Sequence, residues 1–308
     1  MTAIAASLLH AAATAVGRLP WPLQRSLGNA LGDASRALRS RESVVALRNL
    51  ELALPGLARS ERAALHRDVM RTTGRQAVET LRLWTRPHAQ NLALIRKFHG
   101  VELFDAALAA GRGLVVAAPH HGNWELLNQW LAARTPLAIL YKPPESRIGE
   151  AFLRRVRADE DTGRVIQVRA EGPGIRRLYK VLKDGGVVGI LPDQQPKAGD
   201  GVFAPFFGIQ ALTMTLLPRL AERSGATVLF ASCERLPGRD LAYALRIEAA
   251  PAAIADADPA VSVAALNAGV EAMARRAPAQ YQWTYKRFKA RPPGSGEPNP
   301  SQDLERKR

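Results

Sequence analysis

The sequence contains very little cysteine. Cys233 is the one thiol among 308 residues, so no disulfide can form within the chain. It ends the apolar run ATVLFASC, which is typical of a buried strand and favours a packing role over that of a nucleophile. The sequence also lacks the G-x-S-x-G pattern that presents a nucleophilic serine. Chemistry through a covalent serine or cysteine intermediate is therefore not expected.

Acidic residues are scarce relative to basic ones. There are 28 against 43, which gives a net charge of +15 and indicates an anionic partner. Nucleic acid, an anionic membrane surface and a phosphorylated substrate would each fit such a charge. No zinc-finger spacing and no RNA-binding aromatic motif occur, so nucleic acid is not predicted. Asp193 has no second carboxylate at a useful spacing, so neither a metal nor a cofactor is predicted.

Long hydrophobic runs are missing as well. The apolar residues 3–16 fall short of the roughly 20 that cross a bilayer, and the first basic residue, Arg18, comes too late for a signal peptide. Trp21, suited to the headgroup boundary, and the arginines that follow favour a helix in the membrane plane, with a helix packed on the protein as the alternative. The sequence predicts an interfacial helix and helical preface over 1–90, an α/β domain over 91–292 and a disordered tail over 293–308.

The segment 113–127, GLVVAAPHHGNWELL, organises the rest of the chain. Its apolar run predicts a strand buried on both faces of a parallel sheet, and Pro119 ends that strand. Asn123 is placed to cap the helix that follows. Strand, loop and helix therefore form one unit, with polar side chains in the loop.

Two candidate catalytic groups lie in and just after this loop. His120 and Glu125 follow the carboxyl end of the strand, where open α/β sheets place their ligands. If Glu125 holds one ring nitrogen of His120, the other nitrogen can take a proton from a hydroxyl group. The alternative is a hydrogen-bonded loop histidine beside a first-turn helix charge.

The same design occurs a second time in VVGILPDQQ, where an apolar strand is followed by a proline and polar side chains. Asp193 and Gln194 should therefore point toward the same sheet edge as His120. Further strands are predicted at 136–141 and 164–169, and strands alternate with helices along the chain. This order predicts an α/β fold with a mainly parallel central sheet flanked by helices, preceded by the helical region.

HHGNWE resembles the H-x4-D/E signature of glycerolipid-type acyltransferases, in the H-x-GNWE form of the lipid A biosynthesis acyltransferases. Further blocks resemble the same family: RNLELALPGL, YKP, LPDQQ, VFAPFFG and YQWTYKRFKARP. The resemblance implies a glycerophosphate-acyltransferase-like fold. It also implies transfer of a fatty acyl chain from acyl carrier protein to a hydroxyl of an anionic, phosphorylated lipid A precursor, at the cytoplasmic face of the inner membrane.

The resemblance also implies residue roles. His120 would be the general base and Glu125 the group that orients it, with the Gly122–Asn123 amides as one possible oxyanion stabiliser. The same chemistry on a lysophospholipid, an ornithine-type lipid or another envelope glycolipid is the nearest alternative, and an inactive membrane-surface scaffold is the other. The predicted substrate-binding residues are Asn123, Arg157, Asp193, Gln194, Thr213 and Arg287.

Overall fold

The computed structural model describes residues 2–141, 146, 149–152, 164–169, 171–197, 199–296, 299, 300 and 302. Arg157 and much of the predicted tail lie outside these residues, and the domain boundaries stay predictions. Within the described residues, no helix is both long and apolar enough to cross a membrane. The chain opens with α1 (Thr2–Arg18), α2 (Trp21–Ala37), α3 (Arg41–Ala53), α4 (Arg59–Thr85) and the short α5 (His88–Leu92).

Glycines bring α2 into direct backbone contact with α4. A Cβ atom on Gly28 would lie 2.6 Å from the Cα of Arg75, and one on Gly32 would lie 2.3 Å from the carbonyl oxygen of Met70. Gly74 of α4 faces these two glycines, and a Cβ there would lie 2.1 Å from the oxygen of Gly28. Since distances this short are steric overlaps, any side chain at these positions would push the two helices apart.

Seven strands form the central sheet, in the order β1-β9-β8-β2-β5-β3-β4. β2, β3, β4, β5 and β8 are parallel, while β9 runs antiparallel to β8 and β1 pairs parallel with β9. The predicted mainly parallel α/β fold with an N-terminal helical region is therefore confirmed. The strands are β1 (Ile95–His99), β2 (Leu114–Ala117), β3 (Leu137–Tyr141), β4 (Val165–Arg169), β5 (Val187–Ile190), β8 (Thr227–Arg235) and β9 (Tyr243–Ala249).

Helices cover both faces of this sheet. Leu114 and Val116 of β2 belong to one apolar cluster, and Val115 and Ala117 belong to another. The central strand is thus buried on both sides, as its uninterrupted apolar run predicts. The flanking helices are α6 (Val101–Ala109), α7 (Trp124–Arg134), α8 (Gly172–Lys183), α9 (Leu216–Ser224) and α10 (Pro259–Arg276), and 3₁₀ turns cover Ala252–Ala255 and Pro278–Gln280.

A separate antiparallel hairpin, β6 (Gly201–Phe206) and β7 (Ile209–Met214), stands apart from the sheet. Its two-residue turn is Phe207–Gly208, with φ angles of 52° and 75°. Positive φ at both central residues is the mark of a type I′ turn, whose twist matches that of the flanking strands. The end of β7 and the chain after it lie on the same side of the protein as His120.

Candidate active site

The loop that follows β2 is fixed by main-chain hydrogen bonds to two neighbouring segments. The N–H of Gly122 donates to the oxygen of Gln280 at 3.0 Å, and that of Asn123 donates to the oxygen of Cys233 at 2.7 Å. Gly122 has a φ of 63°, and a Cβ atom there would lie 2.3 Å from the same Cys233 oxygen. Because both amides already have partners, the structure does not support the possibility that they stabilise an oxyanion.

His120 is held by the carboxylate of Asp193. Its Nδ1–H donates to Oδ1 at 2.8 Å and its main-chain N–H donates to Oδ2 at 3.0 Å. The two side chains are 13% and 3% exposed. Burial raises the pKa of the Asp193 carboxyl, but the charge and hydrogen bonds of His120 outweigh burial and hold that pKa below its ordinary value. In the neutral imidazole, an ionised carboxylate on Nδ1 keeps the proton on that nitrogen, so the lone pair that a general base requires is on Nε2.

This geometry corrects the role predicted for Glu125. A ring nitrogen has one hydrogen-bonding direction, and that of Nδ1 is taken by Asp193. The carboxylate that orients His120 through Nδ1 is therefore Asp193 and not Glu125. Glu125 lies in the first turn of α7, partly exposed, and a catalytic part for it stays a prediction. The prediction that Asp193 reaches the same sheet edge as His120 is confirmed.

A cavity of about 670 Å³ opens beside His120 at the carboxyl ends of β3 and β5. Much of its wall is apolar, which suits a fatty chain, and basic side chains stand among its lining residues. The apolar lining includes Leu140, Ile175, Leu191, Met214 and Leu216; the charged lining is Lys197, Arg219, Arg223, Glu171 and Asp200.

Gln194 lies between the imidazole and this cavity. Its Nε2 is 3.3 Å from Nε2 of His120 and 3.4 Å from Oε1 of Gln282. Because Nδ1 of His120 carries the proton, the amide of Gln194 is the donor to Nε2. Gln194 lines the cavity, and the prediction that it binds substrate stays a prediction.

Asn123 is a structural residue in this fold. Its side chain caps α7, as predicted, by accepting from the N–H of Leu126 at 3.1 Å. Its Nδ2 donates to Glu79 at 3.5 Å, and Glu79 accepts two hydrogen bonds from Arg235 at 2.6 and 2.7 Å. Asn123 is 1% exposed and does not line the cavity, so substrate binding by this residue stays a prediction that the geometry does not support.

Thr213 and Arg287, also predicted to bind substrate, are tied to each other inside the protein. Arg287 is 3% exposed and donates to the oxygens of Leu212, Thr213 and Asn267. Burial lowers the pKa of its guanidinium. Neither residue lines the cavity, which Thr215 reaches instead, so substrate contact at these two positions is not supported.

His121 belongs to a buried ionic cluster behind the loop. Its Nε2 lies 3.3 Å from Glu234, and Glu234 also accepts from Arg246 at 3.1 Å and Arg276 at 3.0 Å. Burial raises the pKa of Glu234, but His121 and Arg276 outweigh it and lower that pKa to about 2. Neither this cluster nor the Glu79 pair was found from the sequence, because each joins residues far apart in the chain.

A histidine held by a buried carboxylate, at the edge of a parallel sheet and beside an apolar-walled cavity, defines a site that can take a proton from a hydroxyl next to a fatty chain. The family model described as bacterial lipid A biosynthesis acyltransferase matches residues 1–290, and the chain belongs to this family.

Two individual relatives match most of the chain, and a third matches about half of it. The lipid A biosynthesis palmitoleoyltransferase of Escherichia coli K12 is 28% identical over 284 residues, which cover 90% of this chain and 88% of that protein. The lauroyltransferase of the same strain is 29% identical over 284 residues, covering 91% and 89%. A phosphatidylinositol mannoside acyltransferase of Mycobacterium tuberculosis is 33% identical over 169 residues, covering 52% and 51%. The resemblance drawn from the motifs is therefore confirmed.

Proposed function

We propose that the protein is an O-acyltransferase that moves a fatty acyl chain from acyl carrier protein to a hydroxyl of a lipid A precursor, a late secondary acylation in lipopolysaccharide biosynthesis. The observation that carries the proposal is the His120–Asp193 pair opening onto an apolar-walled cavity. Membership in the family supports acyl transfer. The proposal further specifies the donor, an acyl carrier protein thioester, and the acceptor, a lipid A precursor.

The geometry accounts for each bond change in a direct transfer. The acceptor hydroxyl donates to Nε2 of His120, and Nε2 takes its proton as the oxygen attacks the thioester carbonyl. Asp193 stabilises the imidazolium that forms. As the new C–O bond completes the ester, the C–S bond breaks, and the imidazolium returns the proton to the departing thiolate of the carrier arm.

The cavity offers separate environments to the parts of the substrates. Its apolar wall suits the acyl chain, while Gln194 is placed to donate to a substrate oxygen near Nε2. Arg219 and Arg223 are exposed at the cavity and suit either an acceptor phosphate or the acidic carrier protein. Arg157 is proposed to bind a phosphate, and only the resemblance to the family supports this role.

A relative that matches half of this chain is named for phosphatidylinositol mannoside. An acyltransferase of the same mechanism on another lipid acceptor is therefore the second candidate. An inactive scaffold is disfavoured because the His120–Asp193 contact is intact. The proposed location is the cytoplasmic face of the inner membrane, where acyl carrier protein and a lipid acceptor could meet, with the protein held peripherally.

Purified protein, acyl carrier protein loaded with one defined chain and a panel of acceptors test the proposal. Mass spectrometry should detect the acylated lipid A precursor with wild-type protein and none with His120→Ala. Product on a lysophospholipid or mannoside alone would reassign the acceptor. If folded protein gives no product on any acceptor, the result would favour the inactive scaffold over an enzyme.

A further inference from the structure

Attack on a thioester carbonyl places a negative charge on the carbonyl oxygen. As the acceptor oxygen bonds to the carbonyl carbon, one electron pair of the C=O bond moves to that oxygen, and hydrogen-bond donors aimed at this oxyanion stabilise it. The main-chain amides of Gly122 and Asn123 already donate to Gln280 and Cys233. A side chain beside His120 is the next source of a donor.

Gln194 carries a donor in the right place. It lines the cavity, and its Nε2 is 3.3 Å from Nε2 of His120. The acceptor oxygen must come within about 3 Å of the same ring nitrogen to give up its proton. In the tetrahedral intermediate the acceptor oxygen and the oxyanion are bonded to the same carbon. The oxyanion therefore forms within reach of the Gln194 amide.

The direction of this amide follows from the tautomer of His120. Asp193 accepts from Nδ1–H at 2.8 Å, so Nε2 is an acceptor and the amide nitrogen of Gln194, rather than its oxygen, faces it. The second N–H of that nitrogen needs an acceptor of its own, and Oε1 of Gln282 lies 3.4 Å from the nitrogen. A continuous series of hydrogen bonds thus leads from the carboxylate of Asp193 through the imidazole to Gln282.

Gln282 is itself fixed to the catalytic loop. Its main-chain N–H donates to the oxygen of His120 at 3.0 Å. The backbone next to Gln194 is also anchored, because the N–H of Gln195 donates to the hydroxyl oxygen of Tyr285 at 3.0 Å. Gln194 and Gln282 are both half-buried. The amide is therefore held near the reacting atoms before substrate arrives, as electrostatic stabilisation of a transition state requires.

A neutral amide also suits the charge changes of the reaction. His120 becomes a cation when it takes the proton, and a lysine or arginine beside Nε2 would oppose that step. The amide of Gln194 carries no net charge. It can stabilise an oxyanion without repelling the imidazolium.

We propose that the side-chain amide of Gln194 donates to the oxyanion of the acyl-transfer reaction and that Gln282 is the positioning residue that aims this amide. The acceptor hydroxyl replaces the amide on Nε2, and the released N–H turns to the carbonyl oxygen while the other N–H stays on Gln282. When the C=O bond re-forms, the C–S bond breaks and the thiolate takes the proton from His120. This inference rests on the proposed function, since it requires a thioester donor.

Steady-state kinetics with dodecanoyl acyl carrier protein and the acceptor that wild-type protein acylates test the proposal. Gln194→Met keeps the length of the side chain but has no donor, so kcat should fall about a hundredfold, with KM changed less than about twofold. Gln282→Met should lower kcat about tenfold through the misplaced amide, whereas Gln282→Glu keeps an acceptor oxygen and should retain most of the activity. Gln210→Met, on the exposed part of β7, is the matched control and should behave like wild type.

A second measurement needs no turnover. In protein with isotope-labelled histidine, the nitrogen resonance of Nε2 of His120 should shift in Gln194→Met, because the unprotonated nitrogen loses its donor. An unchanged resonance, a near-wild-type kcat or a loss confined to KM in Gln194→Met would overturn the proposal. Equal losses in the two Gln282 variants would remove the positioning role. Wild-type protein that transfers no acyl chain to any acceptor would instead overturn the proposed function, and this inference with it.

Discussion

Asp193 accepts hydrogen bonds from both the ring and the main chain of His120, at 2.8 and 3.0 Å. One carboxylate therefore fixes the tautomer of the imidazole and the position of its backbone at once. The H-x4-E motif places a different carboxylate near the histidine in sequence, whereas the fold brings Asp193 to it from 73 residues away. Asp193 thus acts on the reaction through His120.

Replacing that carboxylate should separate the two acidic candidates. We expect Asp193→Asn to lower kcat about a thousandfold, because an amide can stabilise the wrong tautomer and leaves the imidazolium unpaired. Glu125→Gln is the matched variant and should cost much less if Glu125 only shapes the start of α7. Purified-protein kinetics across a pH range provide the measurement. Full activity in Asp193→Asn with a large loss in Glu125→Gln would return the orienting role to Glu125.

The two adjacent histidines should respond in opposite ways. His120→Ala should abolish transfer with the fold retained, at some cost in stability because the buried Asp193 carboxylate keeps its main-chain donor but loses the ring. His121→Ala should lower stability by about 1–3 kcal/mol, because it leaves Glu234 short of a buried partner, while activity per folded molecule largely survives. Denaturant titrations and initial rates on the same preparations distinguish the two. Loss of chemistry without loss of stability in His121→Ala would reassign the base.

Apolar patterning predicted the sheet well because a strand buried on both faces has little choice of residue. The apolar run of β2 and its repeat in β5, each followed by a proline, were enough to bring His120 and Asp193 to one edge. Which carboxylate meets the ring depends on loop torsions that no spacing encodes. The pattern therefore predicted that His120 and Asp193 meet at one sheet edge, whereas it assigned the ring contact to the wrong carboxylate.

The burial of Arg287 was not predicted from the sequence, for a physical reason. In YQWTYKRF the basic residues look alike in sequence, and burying a charge is costly enough that a solvent-facing role is the natural expectation. Arg287 is buried because carbonyl and side-chain oxygens of β7 and α10 accept its donors. The β6–β7 hairpin was not predicted either. Its turn requires a positive φ at Phe207, which is unusual for an aromatic residue and gives no turn signal in the sequence.

The pair of Glu79 and Arg235 should be important for stability. The side chain of Glu79 is 0% exposed and that of Arg235 is 12% exposed. Removing either charge therefore leaves the other buried without its partner. We expect Glu79→Gln to cost about 3–5 kcal/mol in the free energy of unfolding. The more exposed pair of Asp33 and Arg71 is the control, and Asp33→Asn should change stability far less. Similar losses from both variants, measured by urea denaturation, would contradict a special role for the buried pair.

Stability should also fall in acid in a way that Glu234 explains. Its pKa is about 2 in the folded protein, against an ordinary value of 4.5. The unfolded chain therefore binds the proton first, and the stabilisation, fully present above pH 4.5, is lost as the pH falls toward 2. Glu234→Gln should be less stable than wild type at neutral pH and should lose less on acidification. Parallel slopes of melting temperature against pH for the two proteins would exclude this assignment.

The apolar wall of the cavity should set which acyl chains are accepted. Ile175 and Met214 line it, so Ile175→Trp or Met214→Trp would fill part of the space that a long chain needs. We expect at least about a tenfold lower kcat/KM for a hexadecanoyl than for a dodecanoyl carrier thioester, relative to wild type. Leu103→Trp, on an exposed face of α6, is the control and should leave the ratio unchanged. Competition between the two donors, read by mass spectrometry of the product, measures that ratio directly. If both chains slow equally in the cavity variants, the fatty chain occupies another surface and the cavity serves the acceptor.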